Sequence, residues 1–239
     1  MRRAPAPTKR ARTTRAKRAR QPLSQDRILQ TAMRLVDRTG VDALSMRKLA
    51  RALGVEAMSL YKHVADKDAV LGGLVDLVVH EIGMPLAATD WRTAMRHHAM
   101  ATRQVCLRHR WAAALMESRG AQSAIRMRYA DAILGLLRNA GFTVPIAYRA
   151  FLLVDSYLYG FIMQEANWPY DEGEMAQLAA FLTSQSPQAA YPALVEAMGY
   201  IMGANPRTTG LYDAEFEHGL DMILDGLERI RRDAIGSKT

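Results

Sequence analysis

A single cysteine in 239 residues excludes an internal disulfide and suits a reducing cytoplasm. That residue, Cys106, falls inside an apolar helical pattern, which reads as an inert buried thiol rather than a redox sensor. No run of about 18 uninterrupted apolar residues occurs, so the sequence offers no membrane span. Glycine-rich phosphate loops, nucleophile elbows, His-Glu-x-x-His helices and paired-carboxylate spacings are missing too. His97, His98, His109 and Glu117 match no acid–base or metal pattern, so no catalysis, cofactor or metal is expected. Arg2 and Arg3 open the chain as a twin-arginine signal would, but no hydrophobic segment follows and export is rejected.

Acid is absent from the first 21 residues, where Arg2, Arg3, Lys9, Arg10, Arg12, Arg15, Lys17, Arg18 and Arg20 place nine positive charges. The chain as a whole carries +8, so the remainder holds 23 basic against 24 acidic residues. Basicity is therefore a property of the tail. Its Arg, Ala, Thr and Pro have little to bury, which predicts a disordered arm over residues 1–21. On DNA such an arm adds sequence-independent affinity by displacing counterions, and it could enter a minor groove.

What the chain does have is helical periodicity, with no competing run of strands, so the expected fold is all-α. Ser24 to Thr39 places Ile28, Leu29, Ala32, Leu35 and Val36 on one stripe and stops at Gly40. Ser45 is a candidate N-cap for a second helix with Leu49 and Leu53 inward. Gly54 stands where the chain must turn, and Leu60 and Val64 give the inward spacing of the next short helix. Arg47, Lys48, Arg51, Ser59, Tyr61, Lys62, His63 and Lys67 are left outward. Arginine and lysine pair with phosphates, arginine also grips a guanine edge, and serine and tyrosine hydroxyls donate to phosphate oxygens. A longer helix follows over Asp66 to Ile82.

The phrases Ser-Met-Arg-Lys-Leu-Ala from Ser45, Leu-Gly-Val from Leu53, Ser-Leu-Tyr-Lys-His-Val from Ser59 and the following Asp66-Lys67 resemble the DNA-binding domain of TetR-family transcriptional regulators. The resemblance implies a three-helix helix-turn-helix domain over residues 22–83. It implies DNA contacts from Ser45, Arg47, Lys48, Ala57, Met58, Ser59, Tyr61, Lys62, His63 and Lys67. Arg47 corresponds to a frequent base reader, while Ser59, Tyr61, His63 and Lys67 correspond to backbone contacts. Ala57 and Met58 offer apolar contact, for instance with a thymine methyl.

Residues 84–239 read as a second helical domain suited to dimerisation, and the TetR-family resemblance implies that it binds an effector as well. Helices are expected from Trp91 to about His109, Ala121 to Ala140, Pro145 to Ala166, Met175 to Ser184, Tyr191 to Met202 and Asp213 to Arg232. Phe151 to Met163 is apolar nearly all round, which predicts a central position. The last helix aligns Phe216, Leu220, Ile223, Leu224, Leu227 and Ile230, with Gly219 and Gly226 seven apart where another helix could approach. The Pro145–Ala166 and Asp213–Arg232 helices are expected to form a homodimer through a four-helix bundle.

Trp91, His109-Arg110, Ala140-Gly141-Phe142 and Gly-Leu-x-x-Ile-Leu-x-Gly-Leu-Glu from Gly219 to Glu228 resemble the C-terminal domain of tetracycline repressors. The resemblance implies a small-molecule effector lined by His98, Thr102, Met116, Tyr157, Phe161 and Gln164. It also speaks against magnesium–tetracycline. The metal-holding positions fall on Met116 and Gln164, neither a good hard-cation ligand, and the drug-gripping ones on Gly83 and His98. Glu117 and Glu165 lie one residue along. The implied function is a repressor released from a palindromic operator by an apolar or aromatic organic molecule. The alternative is an architectural DNA-coating protein dominated by the arm.

Overall fold

The computed structural model describes residues 22–85, 90–119, 123–167, 172–182, 184, 190–203 and 211–236. Among them are eleven helices and no strand. The expected arm lies outside the described residues.

The first four helices form the N-terminal unit: α1 (Gln25–Thr39), α2 (Met46–Leu53), α3 (Ala57–Leu60) and α4 (Lys67–Ile82). Ser24, Ser45 and Asp66 cap α1, α2 and α4 by accepting from the backbone N–H three residues on, each satisfying one orphan donor of a first turn. Ile28, Val36, Leu49, Leu60, Val70 and Leu74 are buried between these helices. Each such side chain removed from water contributes roughly 1.5–3 kcal/mol. Gly54 has φ 69 and ψ 37, and its N–H donates to the carbonyls of Ala50 and Arg51. That left-handed turn is what brings α3 across α2.

α5 (Trp91–Arg108), α6 (Ala112–Arg119), α7 (Ala124–Asn139) and α8 (Val144–Ala166) build the core of the C-terminal part; α9 (Glu172–Leu182), α10 (Pro192–Gly203) and α11 (Leu211–Gly236) follow. α4 is the hub, packing on α1 at one side and on α5, α6 and α7 at the other. Its Asp76 accepts from Ser123 Oγ at 2.6 Å and from Arg126 Nε at 3.3 Å, tying α4 to the start of α7. α5 and α11 are joined by charge: Arg92 pairs with Asp221 and Asp225, and Arg96 with Asp221 and Glu217. Deeper in, Arg103 grips Glu165 of α8 with two N–H···O bonds of 2.8 and 2.9 Å, reaches Asp213 at 2.6 Å and sits over the Phe216 ring.

Several expectations are corrected. α6 was not foreseen at all. α7 begins at Ala124 behind a Ser123 cap rather than at Ala121, and α9 begins at Glu172 rather than at Met175. The final helix extends beyond both expected ends. Ile230 is exposed rather than part of the inner stripe. α8 is central on one face only: Ala150, Val154, Leu158 and Ile162 are buried, whereas Val144, Tyr148, Leu152 and Leu153 are exposed. α8 is long and apolar enough to cross a membrane by length and composition, with mean hydropathy 1.3, but its inner face packs on α5, α6, α7 and α11.

Gly219 also differs from expectation. A Cβ there would lie 2.4 Å from Tyr157 Oη of the same chain, so the glycine admits α8 rather than a partner helix. A Cβ at Gly226 would meet nothing within 4 Å.

Candidate nucleic-acid interface and effector site

The α2–α3 unit presents a mixed basic, hydroxyl and apolar surface. Arg47, Lys48, Arg51, Lys62 and His63 are exposed, and Met58 and Tyr61 are exposed by 74% and 46%. Ala57, Ser59 and Lys67 are half-buried. Ser45 Oγ is occupied as the α2 cap, accepting from Lys48 N at 3.3 Å, and Lys48 Nζ donates to the Ala43 carbonyl at 2.9 Å. Ser45 therefore acts first on helix geometry, by fixing the turn that carries Arg47. α3 itself is four residues long and has no side-chain cap bond at Glu56. Hydrogen bonds from His63 N and Val64 N to the Leu60 carbonyl, at 2.9 and 3.0 Å, carry the winding one turn further. Leu60, fully buried, anchors the segment. Its exposed side chains are consequently held on a short rod, the kind of object a major groove admits.

Five of the six expected effector residues divide between two places, and the sixth lies in neither. His98 and Thr102 of α5 are buried, and Thr102 Oγ1 donates to the His98 carbonyl at 2.9 Å. His98 Nε2 lies 2.8 Å from the Tyr129 hydroxyl of α7. Met116 of α6 faces the same interior, its sulfur accepting from Tyr159 of α8 at 3.9 Å. Tyr157 and Phe161 belong elsewhere. They pack with Phe216 of α11, at ring-centroid separations of 5.6 and 5.2 Å, and Tyr157 donates to the Phe216 carbonyl at 2.8 Å. Gln164 is exposed.

Sequence reasoning missed Tyr159 and Asp155 as interior polar groups, and placed Tyr129 on the inner face of its helix without a part in the site. The four-residue spacing of Asp155 and Tyr159 puts them on one face of α8, but that helix is too uniformly apolar for the face to be chosen in advance. Burial sets the electrostatics. It pushes the His98 imidazole down to about 4, aided by repulsion from His97, and pushes Asp155 up to about 7, aided by Glu117. The phenols of Tyr129 and Tyr159 are raised, also by burial. Cys106 is buried and its thiol is raised to about 12. At neutral pH this interior holds a neutral imidazole, two neutral phenols and a carboxyl close to half-protonation. Such groups can exchange hydrogen bonds with a polar, uncharged edge of an aromatic molecule.

Magnesium does not fit the residues present. Met116 offers a thioether, Gln164 points to solvent exposure, and Glu165 is already held by Arg103 through both carboxylate oxygens. Among the described residues no three His, Cys, Asp or Glu side chains gather as ligands would. A cleft of about 470 Å³ along α5 and α11 is lined by His97, Met100, Gln104 and Glu217, among others, and includes none of the six expected effector residues.

Residues 28–74 match the family model of bacterial regulatory proteins, tetR family, and residues 84–231 match the tetracyclin repressor-like C-terminal domain. An HTH-type transcriptional regulator of Saccharopolyspora erythraea is 34% identical over 208 residues, covering 86% of this chain and 84% of that protein. The class A tetracycline repressor of transposon 1721 from Escherichia coli is 32% identical over 212 residues, covering 87% and 92%. Among solved structures, ActR of Streptomyces coelicolor in complex with actinorhodin superimposes with a TM-score of 0.73 at 30% identity, covering 86% of this chain and 95% of its own.

Proposed function

The chain belongs to the TetR family of bacterial regulatory proteins, with a tetracycline-repressor-like C-terminal domain, and from that premise we propose a repressor that a small organic molecule releases from a palindromic operator. The observation that carries the reading is the α2–Gly54–α3 unit, whose exposed Arg47, Met58, Tyr61, Lys62 and His63 flank a rod anchored by buried Leu60. In this reading Arg47 reads a base edge. Met58 and Ala57 make apolar contact, while Lys48, Ser59, Tyr61, Lys62, His63 and Lys67 hold phosphates. Ser45 positions Arg47 through its cap.

Two such rods bind a two-fold site if the chain dimerises. The exposed apolar rows Val144, Tyr148 and Leu152 on α8, and Met222 and Ile230 on α11, support pairing of these helices across a two-fold axis. The reading heads would then meet successive major grooves about one DNA turn apart. Its target places the protein in the cytoplasm.

The effector proposed is an aromatic molecule with uncharged polar edges, held by His98, Thr102, Met116, Tyr129 and Tyr159; magnesium–tetracycline is not favoured, for the reasons of ligand chemistry given above. ActR, solved with actinorhodin, supports a small-molecule effector. Binding among α5–α8 would shift α4, on which α5, α6 and α7 pack, and thereby the separation of the reading heads. A coupling of ~1–3 kcal/mol alters operator occupancy several- to hundred-fold, and operator DNA must weaken effector binding by the same factor.

The test is selection of duplexes from a random library by the full chain, followed by gel shift of wild type and Arg47→Ala at physiological salt. A palindromic consensus, weakened by about 1–3 kcal/mol and made less selective in Arg47→Ala, is the expected result. Binding to all sequences alike, lost in parallel as salt rises, would instead identify an arm-dominated coating protein.

A further inference from the structure

The interior that gathers His98, Thr102, Met116 and Tyr129 contains two oxygen acceptors that receive no hydrogen bond. Asp155 is half-buried, one helical turn before Tyr159 on α8. Among the described residues it makes no hydrogen bond or ion pair. Tyr159 is 5% exposed and gives its proton to the Met116 sulfur at 3.9 Å. Among the described residues no donor reaches the oxygen of that phenol. Burial raises the Tyr129 and Tyr159 phenols, and the nearby Asp155 charge adds to it. Burial raises Asp155 in turn, and Glu117, exposed on α6, adds to that.

Among the described residues no cation pairs with Asp155 or Glu117. The titratable groups around Asp155 are neutral or negative: His98 and Cys106 from α5, Glu117 from α6, Tyr129 from α7 and Tyr159 from α8 itself. Arg103 of α5 is committed to Glu165 and Asp213, and Arg126 of α7 to Asp76. A carboxylate withdrawn from water without a counter-charge is unfavourable, and Asp155 is pushed up to about 7 accordingly. An alkylammonium brings three donors, no acceptor and the missing positive charge. It can satisfy the carboxylate and the Tyr159 oxygen together. A neutral hydroxyl answers one acceptor and leaves the charge uncompensated, while an anion is repelled by both carboxylates.

We propose that Asp155, assisted by Tyr159, is a specificity-determining residue of the effector site, and that the effector carries a protonated amine beside its aromatic body. The proposal rests on the effector reading and adds one charged end to it. The uncharged edges of the ring system meet His98, Thr102 and Tyr129, and the amine meets α8. Such a molecule binds the carboxylate form of Asp155, so effector and proton compete for the same group. Binding then releases a proton wherever Asp155 is still protonated, at and below neutral pH.

Three anthracenes of similar shape test the charge: 9-(aminomethyl)anthracene as the ammonium, 9-anthracenemethanol as the neutral alcohol and 9-anthracenecarboxylate as the anion. Each is titrated with the full chain in the absence of DNA and followed by fluorescence polarisation. At neutral pH wild type should bind the ammonium about tenfold more tightly than the alcohol, and the anion least. Affinity for the ammonium should rise about tenfold between about pH 5.5 and 7.5, as Asp155 ionises, while affinity for the alcohol stays level. Asp155→Asn should abolish both the preference and its pH dependence yet still bind the alcohol. Asp155→Glu should keep the preference, because a carboxylate remains. Glu117→Gln and Tyr159→Phe, each removing a weaker attraction, should fall between. Equal affinity of wild type for ammonium and alcohol overturns the proposal, as does a preference that survives in Asp155→Asn. Alcohol binding without that preference refutes the amine and leaves the effector site standing, whereas binding of none of the three refutes both. Selection of a palindromic operator needs no ligand and is decided separately.

Discussion

The glycines of α11 give a prediction whose sign follows from distances. At Gly219 a new methyl would sit 2.4 Å from Tyr157 Oη and 2.9 and 3.0 Å from two ring carbons. The ring has little room to retreat: it stacks on Phe216 at 5.6 Å, neighbours Phe161 at 5.8 Å, and donates to the Phe216 carbonyl. Overpacking of this kind costs about 1–3 kcal/mol, and displacing the hydroxyl forfeits a hydrogen bond of about 1 kcal/mol. Alanine returns about 1 kcal/mol through its better helix propensity. Gly219→Ala should therefore destabilise by roughly 1–3 kcal/mol net, read from urea unfolding by circular dichroism at fixed protomer concentration. In a Tyr157→Phe background the nearest clashing atom is gone and the ring carbons remain, so the penalty should shrink by about 0.5–1.5 kcal/mol without vanishing. A Gly219→Ala protein as stable as the parent would refute the close approach. Gly226, with open space around a built Cβ, should behave oppositely. Its alanine variant should gain up to about 1 kcal/mol in the single chain, yet dissociate more readily as a dimer if a partner helix packs there.

Acid titration should separate two buried groups of opposite sign. Between about pH 4 and its ordinary 6.5, His98 takes a proton only in the unfolded chain, so its contribution to stability rises with pH. Asp155 holds a proton in the folded chain between 3.8 and about 7, so its contribution falls as pH rises. The two oppose each other across the shared window. Unfolding midpoints of Asp155→Asn should accordingly climb from pH 4 to 6.5 more steeply than those of wild type, and a parallel pair of curves would contradict the burial of Asp155. Cys106, buried with its thiol raised to about 12, should react with a thiol reagent only as fast as the chain opens, a rate measured by quench of labelling with and without denaturant. Leu60→Ala should cost about 2–5 kcal/mol in the N-terminal unit and abolish selective DNA binding in gel shifts. Deleting residues 1–20 should flatten the salt dependence of DNA affinity while sparing sequence preference, with each lost phosphate contact lowering the slope by about 0.9.

How far the chain could be read in advance follows a physical division. α1 and α2 were legible because each announces itself locally: a regular apolar stripe, a glycine at the end, and for α2 a candidate cap at Ser45. The α2–Gly54–α3 surface was legible for the same reason, since residues that face outward on short amphipathic helices are fixed by spacing alone. α6 was not. Ala112–Arg119 has three alanines and no stripe, so nothing in its own composition distinguishes it; its position is set by packing on α4 and α8. α8 defeated periodicity in the opposite way. Apolar on nearly every side, it could not disclose that Asp155 and Tyr159 share the interior with His98 while Tyr157 and Phe161 face α11.

The same division separates the candidate site from what controls it. Groups that would touch DNA act from one local segment, and their arrangement needs nothing beyond that segment's spacing. Coupling needs contacts between segments far apart in the chain: Arg96 with Asp221, Arg103 with Glu165, and His109 with Asp37 join residues 125, 62 and 72 positions apart. Charges that close such gaps look, in sequence, like any solvated helix face. Only packing tells them apart, because a partner must arrive within hydrogen-bond distance before burial and geometry can give the pair a role. A TetR-type DNA-binding unit is thus declared by its sequence pattern, while the contacts that hold it to the core have to be sought where the two helical units meet.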